Sequence, residues 1–171
     1  MNPHCMQTFT GKVVDLSRFS EDDVCVEDIA HALSHIVRFT GHAKEPYTVA
    51  QHSVMVSMLS GEHALSGLLH DATEAYLGDV SSPLKTLLPD YREIEERAQK
   101  VIAGAFGLPY PLPAAVKVAD KQALLIEKRD LLPVDIDWGV GKAEGPASIT
   151  RVLPHAEAKQ EFLALYRELT G

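Results

Sequence analysis

Apolar residues recur at three- and four-residue intervals along most of this chain, and that period is the strongest constraint on its fold. Ile29, Leu33, Ile36 and Val37 share one side of a helix predicted over 28–39. Val49, Val56 and Leu59 do the same for a helix over 48–59. Leu65, Leu68, Leu69, Ala72 and Ala75 are the apolar part of a third over 62–77, stopped by Gly78. "YREIEERAQKVIAGAFG" predicts a fourth, ended by Gly107, and Ala114 to Leu132 a fifth, entered through "YPLPAA". Residues 133–154 hold Pro, Gly and the only Trp and read as irregular, before a last amphipathic helix over 155–170. At the other end, "MQTFTGKVVDL" sets β-rich residues on both sides of Thr10-Gly11, the pattern of a small hairpin over 6–16. No repeat and no low-complexity linker interrupts the 171 residues. The expectation is one all-α domain over 1–171, with a core at about 28–132 and the hairpin and last helix flanking it.

Charge narrows the class of partner. The formal net charge is -8, so the surface repels phosphate backbones and a nucleic acid polymer is an unsuitable partner. A small phosphorylated ligand can still find a local positive site. Cys5 and Cys25 lie in no Cys-x-x-Cys pattern and read as free thiols of a reducing compartment. No basic segment followed by an apolar one opens the sequence, and no apolar run approaches the roughly 20 residues of a membrane helix. A cytoplasmic location without membrane contact is expected.

One segment conflicts with a purely structural role. "GLLHDATEAYLGDV", from Gly67 to Val80, is mostly apolar yet carries His70, Asp71, Glu74 and Asp79. On a helix, Gly67, His70, Asp71 and Glu74 fall at i, i+3, i+4 and i+7, on one stripe beside a glycine that permits close approach. A solvated polar stripe is one explanation. A metal ion is the other, because it satisfies several polar groups that burial would otherwise penalise. Further donors exist. His52, in "VAQHSVMVSML", shares a face with Met55, Val56 and Leu59 and therefore points inward. Asp120, in "VKVADKQALL", shares a face with Val116, Ala123 and Leu124, where an isolated Asp is rare. Two His and two Asp suit one divalent ion such as Mn, Co, Fe, Zn or Mg, with open positions left for water and a substrate oxygen.

These residues resemble the HD-domain phosphohydrolases: an isolated His, an adjacent His-Asp pair and a distant Asp on a later helix. The flanking residues make the likeness more specific. "VAQHS", "HDATEAYLGDVSSPLK" and "VKVAD" resemble the ligand motifs of the bacterial 5'-deoxynucleotidase subgroup, and "VRF" at 37–39 its Arg-aromatic pair. The match spans roughly Ile29 to Leu132, and the overall likeness is to small phosphohydrolases common in phages and prophages. The resemblance implies an HD-domain helical bundle. It also implies His52, His70, Asp71 and Asp120 as metal ligands and Glu74 as the carboxylate that handles the attacking water. Asp79 corresponds to the second acid, and Arg38 to the phosphate-binding arginine. Phe39 stands where the subgroup usually carries Trp, a departure that bears on discrimination between deoxyribose and ribose. The interval from His52 to His70 is short for the subgroup, which bears on pocket depth. A homodimer is compatible with the resemblance.

The implied activity is metal-dependent hydrolysis of nucleotide phosphoesters, deoxynucleoside 5'-monophosphates first. Release of triphosphate from deoxynucleoside triphosphates is the alternative within the fold, and it calls for several cations beyond Arg38. A non-catalytic nucleotide or metal sensor is the alternative of another class, and it has no need of Glu74 and Asp79. His31 and His35, spaced i, i+4 with Arg38 continuing the stripe, read as a polar face or a cleft wall rather than a second metal site. Lys44 and Lys85 read as solvated. No Walker-type loop and no Ser or Cys elbow is present.

Overall fold

The N-terminal hairpin pairs β1 (Cys5–Gln7) with β2 (Val13–Asp15), antiparallel, with Met6 opposite Val14. Gly11, at a φ of 89°, supplies the left-handed residue of its turn. Thr10 then ties the turn to the first helix, its N–H and Oγ1 donating to the Asp28 carboxylate at 2.7 and 2.8 Å. The computed structural model describes residues 3–171. Among them, eight α-helices carry most of the regular structure and the hairpin is the only sheet.

α1 (Val26–His35) opens with Glu27 and Asp28 in its first turn, where acids favour the helix dipole. It is shorter than its periodicity implies. Ile36 and Val37 leave the helix for extended backbone, with Val37 bridging Thr48 and Arg38 N–H donating to the Tyr47 carbonyl at 2.9 Å. β-branched residues favour that conformation. Arg38 therefore stands on a short extended strip and does not continue the stripe of His31 and His35.

α2 (Val49–Leu59) begins where expected, with the Thr48 hydroxyl accepting from Gln51 N–H. The expected helix over 62–77 is broken into α3 (Ala64–Leu68) and α4 (Glu74–Leu77), with turns between them. His70 supplies a reason. Its Nδ1 lies 2.7 Å from the Gly67 carbonyl, the acceptor that an unbroken helix would give to Asp71 N–H. The backbone tightens accordingly, with Glu74 N–H donating to the Asp71 carbonyl, three residues back, at 3.0 Å.

A short α5 (Ser82–Lys85) precedes α6 (Pro89–Ala105), and both carry Pro in the first turn. α7 (Ala114–Leu131) and α8 (His155–Thr170) match their predicted spans to within a residue. Residues 133–154 contain no helix or strand. They are pinned along α7, where Ser148 and Ile149 donate to Asp130 at 2.9 and 2.8 Å.

α2 is the central element, packed against α1, α3, α7 and α8. Fully buried Ile29, Leu33, Val49, Leu68, Ile102 and Phe162 belong to one core that extends to Val14 of the hairpin. A smaller apolar seam of Val56, Val116, Ala119 and Ala123 joins α2 to α7. Gly67 lets α3 close on the end of α2, since a Cβ there would stand 2.5 Å from Ser60 Oγ and 3.0 Å from Ser57 Cα. No helix among the described residues is long and apolar enough to cross a membrane.

Candidate metal centre

His52 is carried inward by the apolar face of α2 and has no exposed surface. A buried imidazole requires partners at both nitrogens. Its Nδ1 lies 2.6 Å from Oε1 of Glu127, a residue of α7 that is also fully buried. An ionised carboxylate only accepts, so Nδ1 carries the hydrogen. Nε2 is left to face His70 Nε2 at 3.2 Å, Asp120 Oδ1 at 3.2 Å and Asp71 Oδ2 at 3.5 Å.

His70 is fixed by the same logic. The Gly67 carbonyl can only accept, so His70 Nδ1 donates and Nε2 turns toward His52. There it lies 3.1 Å from Asp71 Oδ2 and 3.8 Å from Asp120 Oδ1. Two imidazole lone pairs facing each other at 3.2 Å repel unless a proton or cation lies between them. Donors about 2.1 Å from a divalent ion stand roughly 3 to 3.4 Å apart, close to the separations here. His52, His70 and Asp120 are a cluster that could hold a metal ion. Asp71 adds a second carboxylate against both imidazoles. The donors come from α2, from the turn after α3 and from α7, and Asp120 stands at the mouth with its side chain 45% exposed rather than buried.

The electrostatics agree. Burial opposes ionisation of Asp71, but the His70 and His52 imidazoles and the Arg38 guanidinium outweigh it and hold its carboxyl well below the usual range. Asp120 and Glu127 are likewise lowered against the cost of burial, by His52 in both cases and by Arg38 also for Glu127. Burial and Arg38 push the His52 imidazole down, but Glu127 and Asp120 prevail and raise it to about 9.

Arg38 is bound into this network. Its Nε and one terminal nitrogen each lie 2.9 Å from Glu127 Oε2, and its other terminal nitrogen stands 3.9 Å from Asp71 Oδ2. The planar edge expected to grip phosphate is therefore engaged with Glu127, and a single terminal nitrogen faces the cluster. Phe39 lies beside it, with the guanidinium carbon 5.6 Å from the ring centroid. Phe39 and Thr40 hold φ values of 56° and 52°, left-handed backbone that costs non-glycine residues about 1–3 kcal/mol each and occurs often at functional sites.

Glu74 begins α4 and is 5% exposed. Its Oε2 is buried without a hydrogen-bond partner. Burial, with Asp71 and Asp79 nearby, pushes its carboxyl up to about 10. Asp79 follows Gly78, which ends α4 with a left-handed φ of 79°. Burial raises the Asp79 carboxyl too, opposed by Arg38 and supported by Asp71.

Other candidates lie elsewhere. His31 stacks between Phe9 and His35, at 3.7 and 4.4 Å between centroids, and His35 meets His155 at 4.6 Å. These rings join the hairpin turn to α1 and α8. Lys85 is not solvated as expected, because its ammonium pairs with Glu95 on α6. The backbone N–H of Lys44 donates to Leu131 at 2.9 Å, while no ion pair engages its side chain among the described residues. Glu127 is the member of the cluster that sequence reasoning missed. A signal was available: it follows Asp120 at i+7, on the same face of α7.

The chain is 46% identical over 169 residues to the uncharacterized protein YfdR of Escherichia coli strain K12, covering 96% of this chain and 95% of that protein. It is 37% identical over 131 residues to an uncharacterized protein of Rhodobacter capsulatus, covering 70% of this chain and 67% of that protein. No family model matches the chain.

Proposed function

The chain belongs to the family of Escherichia coli YfdR, and we propose that it is an HD-domain, metal-dependent phosphohydrolase acting on nucleotides, deoxynucleoside 5'-monophosphates in the first place. One observation carries this reading. Two histidines with their Nδ1 hydrogens committed elsewhere turn Nε2 toward each other beside Asp71 and Asp120, and an unpartnered buried carboxylate, Glu74, lies near. His52, His70, Asp71 and Asp120 would hold the ion. A divalent ion there would polarise a phosphoryl oxygen and make water more acidic.

The chain's own groups then have distinct tasks. The Glu74 carboxylate would take a proton from the attacking water, since positive charge held at the cluster would lower its raised pKa and free it as a base. The terminal nitrogen of Arg38 that faces Asp71 binds a phosphate oxygen and offsets charge developing on it, while Glu127 fixes the opposite edge of the guanidinium. Asp79 orients the water or a sugar hydroxyl. Phe39 presents a ring beside the sugar. The reaction is phosphoester hydrolysis by in-line attack of water.

The test is a screen of chelator-stripped protein, reloaded with Mn, Co or Mg in turn, against nucleoside mono- and triphosphates. Orthophosphate from monophosphates is expected. Triphosphate from triphosphates would make the enzyme a triphosphohydrolase, and no release with any metal would overturn the reading and leave a binding protein.

A further inference from the structure

A cavity of about 80 Å3 takes no part in the chemistry described so far and is lined by none of the candidate metal ligands. Three parts of the chain meet there: Leu16 and Phe19 after the hairpin, Tyr76 and Leu77 on α4, and Ile94 and Ala98 on α6. Arg18 and Arg97 stand in the same lining. We propose that this cavity is a binding site for a small organic anion with an apolar body of about six carbons, an aryl or branched-chain carboxylate or phosphonate-like group.

The apolar body follows from the walls and the size. Tyr76 is 4% exposed and its hydroxyl is already engaged, accepting from Cys25 N–H at 3.1 Å. Its ring lies 4.8 Å from that of Phe19 between centroids, tilted by 51°, so an aromatic pair stands beside the space. Ile94 remains 36% exposed, an apolar side chain that a ligand would cover. A water-sized unit takes roughly 10–15 Å3 of such a space, so about six non-hydrogen atoms fit, the size of a phenyl ring.

The charge follows from the arginines. Acids outnumber bases in this chain by 24 to 16. The arginine ion pairs among the described residues are nevertheless those of Arg38, Arg129 and Arg151, and neither Arg18 nor Arg97 has one. The Asp15 carboxyl, the acid that Arg18 influences, is held down first by Ser17, whose N–H and hydroxyl donate to its Oδ1 at 3.0 and 2.6 Å, and less by Arg18. Two guanidiniums beside one small space repel each other. An anion between them relieves that repulsion and accepts from both, while its apolar body fills the cavity. Glu74 begins α4, so a ligand against Tyr76 and Leu77 would brace the helix that carries it.

The test is calorimetric binding of five probes to the purified chain, with and without Mn. Phenylacetate, benzylphosphonate, benzyl alcohol and benzylamine share one ring and differ in charge, and acetate has the charge without the ring. Both aromatic anions are expected to bind with a dissociation constant on the order of 1 mM, and the tighter of the two identifies the headgroup. The alcohol should bind about tenfold more weakly, and the amine and acetate not measurably. Arg18→Ala and Arg97→Ala, both at exposed positions, should leave the melting temperature unchanged and each weaken phenylacetate about tenfold, the usual worth of a charged hydrogen bond. Bound phenylacetate should also slow hydrogen exchange in residues 16–19, in α4 and in the middle of α6. Failure of both aromatic anions to bind, equal binding of benzylamine, unchanged affinity in either arginine variant, or binding that requires Mn would overturn the site.

Discussion

Glu127 joins the candidate metal centre to Arg38, the arginine proposed to bind phosphate: one carboxylate oxygen accepts from His52 Nδ1 at 2.6 Å and the other from Arg38 at 2.9 Å. Glu127→Gln keeps the shape but sets an amide N–H2 against a donor. Metal affinity should fall by roughly 10- to 100-fold, the usual cost of losing the group that orients a ligating histidine. Stability should drop by about 3 kcal/mol, because two buried cationic partners lose their counterion. Calorimetric metal titration and denaturant unfolding check both, and an unchanged affinity would show that Glu127 does not orient His52.

The same contact gives Arg38 a structural task beside its proposed functional one. Arg38→Ala should lower kcat/KM by on the order of 10²-fold, as removal of a charge-stabilising donor does, and should also lower the melting temperature by stranding Glu127. Arg38→Lys restores a charge for Glu127 without the fork, so it should recover stability more fully than turnover. Equal recovery of both would remove Arg38 from the phosphate site.

Metal binding should depend on pH through His52. Without a cation, its pKa is raised from 6.5 to about 9, so its protonated form stabilises the fold fully below pH 6.5 and that contribution is lost as pH rises through about 9. Metal requires the bare nitrogen and displaces that proton. Apparent affinity should therefore rise about tenfold per pH unit up to about 9 and then level off. The gain in melting temperature on adding metal should be larger at the alkaline end. An affinity independent of pH over this range would contradict the arrangement of His52 between Glu127 and Asp120.

Much of this was legible in the sequence, for reasons that also explain what was not. α2, α6, α7 and α8 have long apolar periods, so their spans were predicted closely. The segment around His70 has the same period but breaks, because a side chain takes the carbonyl that the helix needs, and periodicity does not register such competition. The spacing and flanks of His52, His70, Asp71 and Asp120 marked them as a set. The use of Arg38 was only half visible, since its partner Glu127 is remote in sequence and looked like an ordinary charge on a long helix. The pairing of Lys85 with Glu95 was invisible too, because the charged face of α6 reads as solvated until α5 stands beside it.

Gly67 is a stability hinge of the centre. Gly67→Ala places a Cβ 2.5 Å from Ser60 Oγ and close to the Ser57 backbone, and overpacking of this kind costs about 1–3 kcal/mol. Because His70 takes its orientation from the Gly67 carbonyl, metal affinity should fall as well. Ser60→Ala in the same chain should recover part of the stability. Thermal unfolding of the three variants decides this, and a Gly67→Ala protein as stable as the wild type would mean that α3 has room to shift.

The most direct test of the centre is the metal stoichiometry of stripped and reloaded protein, measured for the wild type, Asp71→Ala and Glu74→Gln together. About one ion per chain is predicted for the wild type and for Glu74→Gln, whose turnover should be down by on the order of 10²-fold or more. Asp71→Ala should hold little or no metal. A wild type that binds no ion, an Asp71→Ala that binds as well as the wild type, or a metal-free Glu74→Gln would contradict the account.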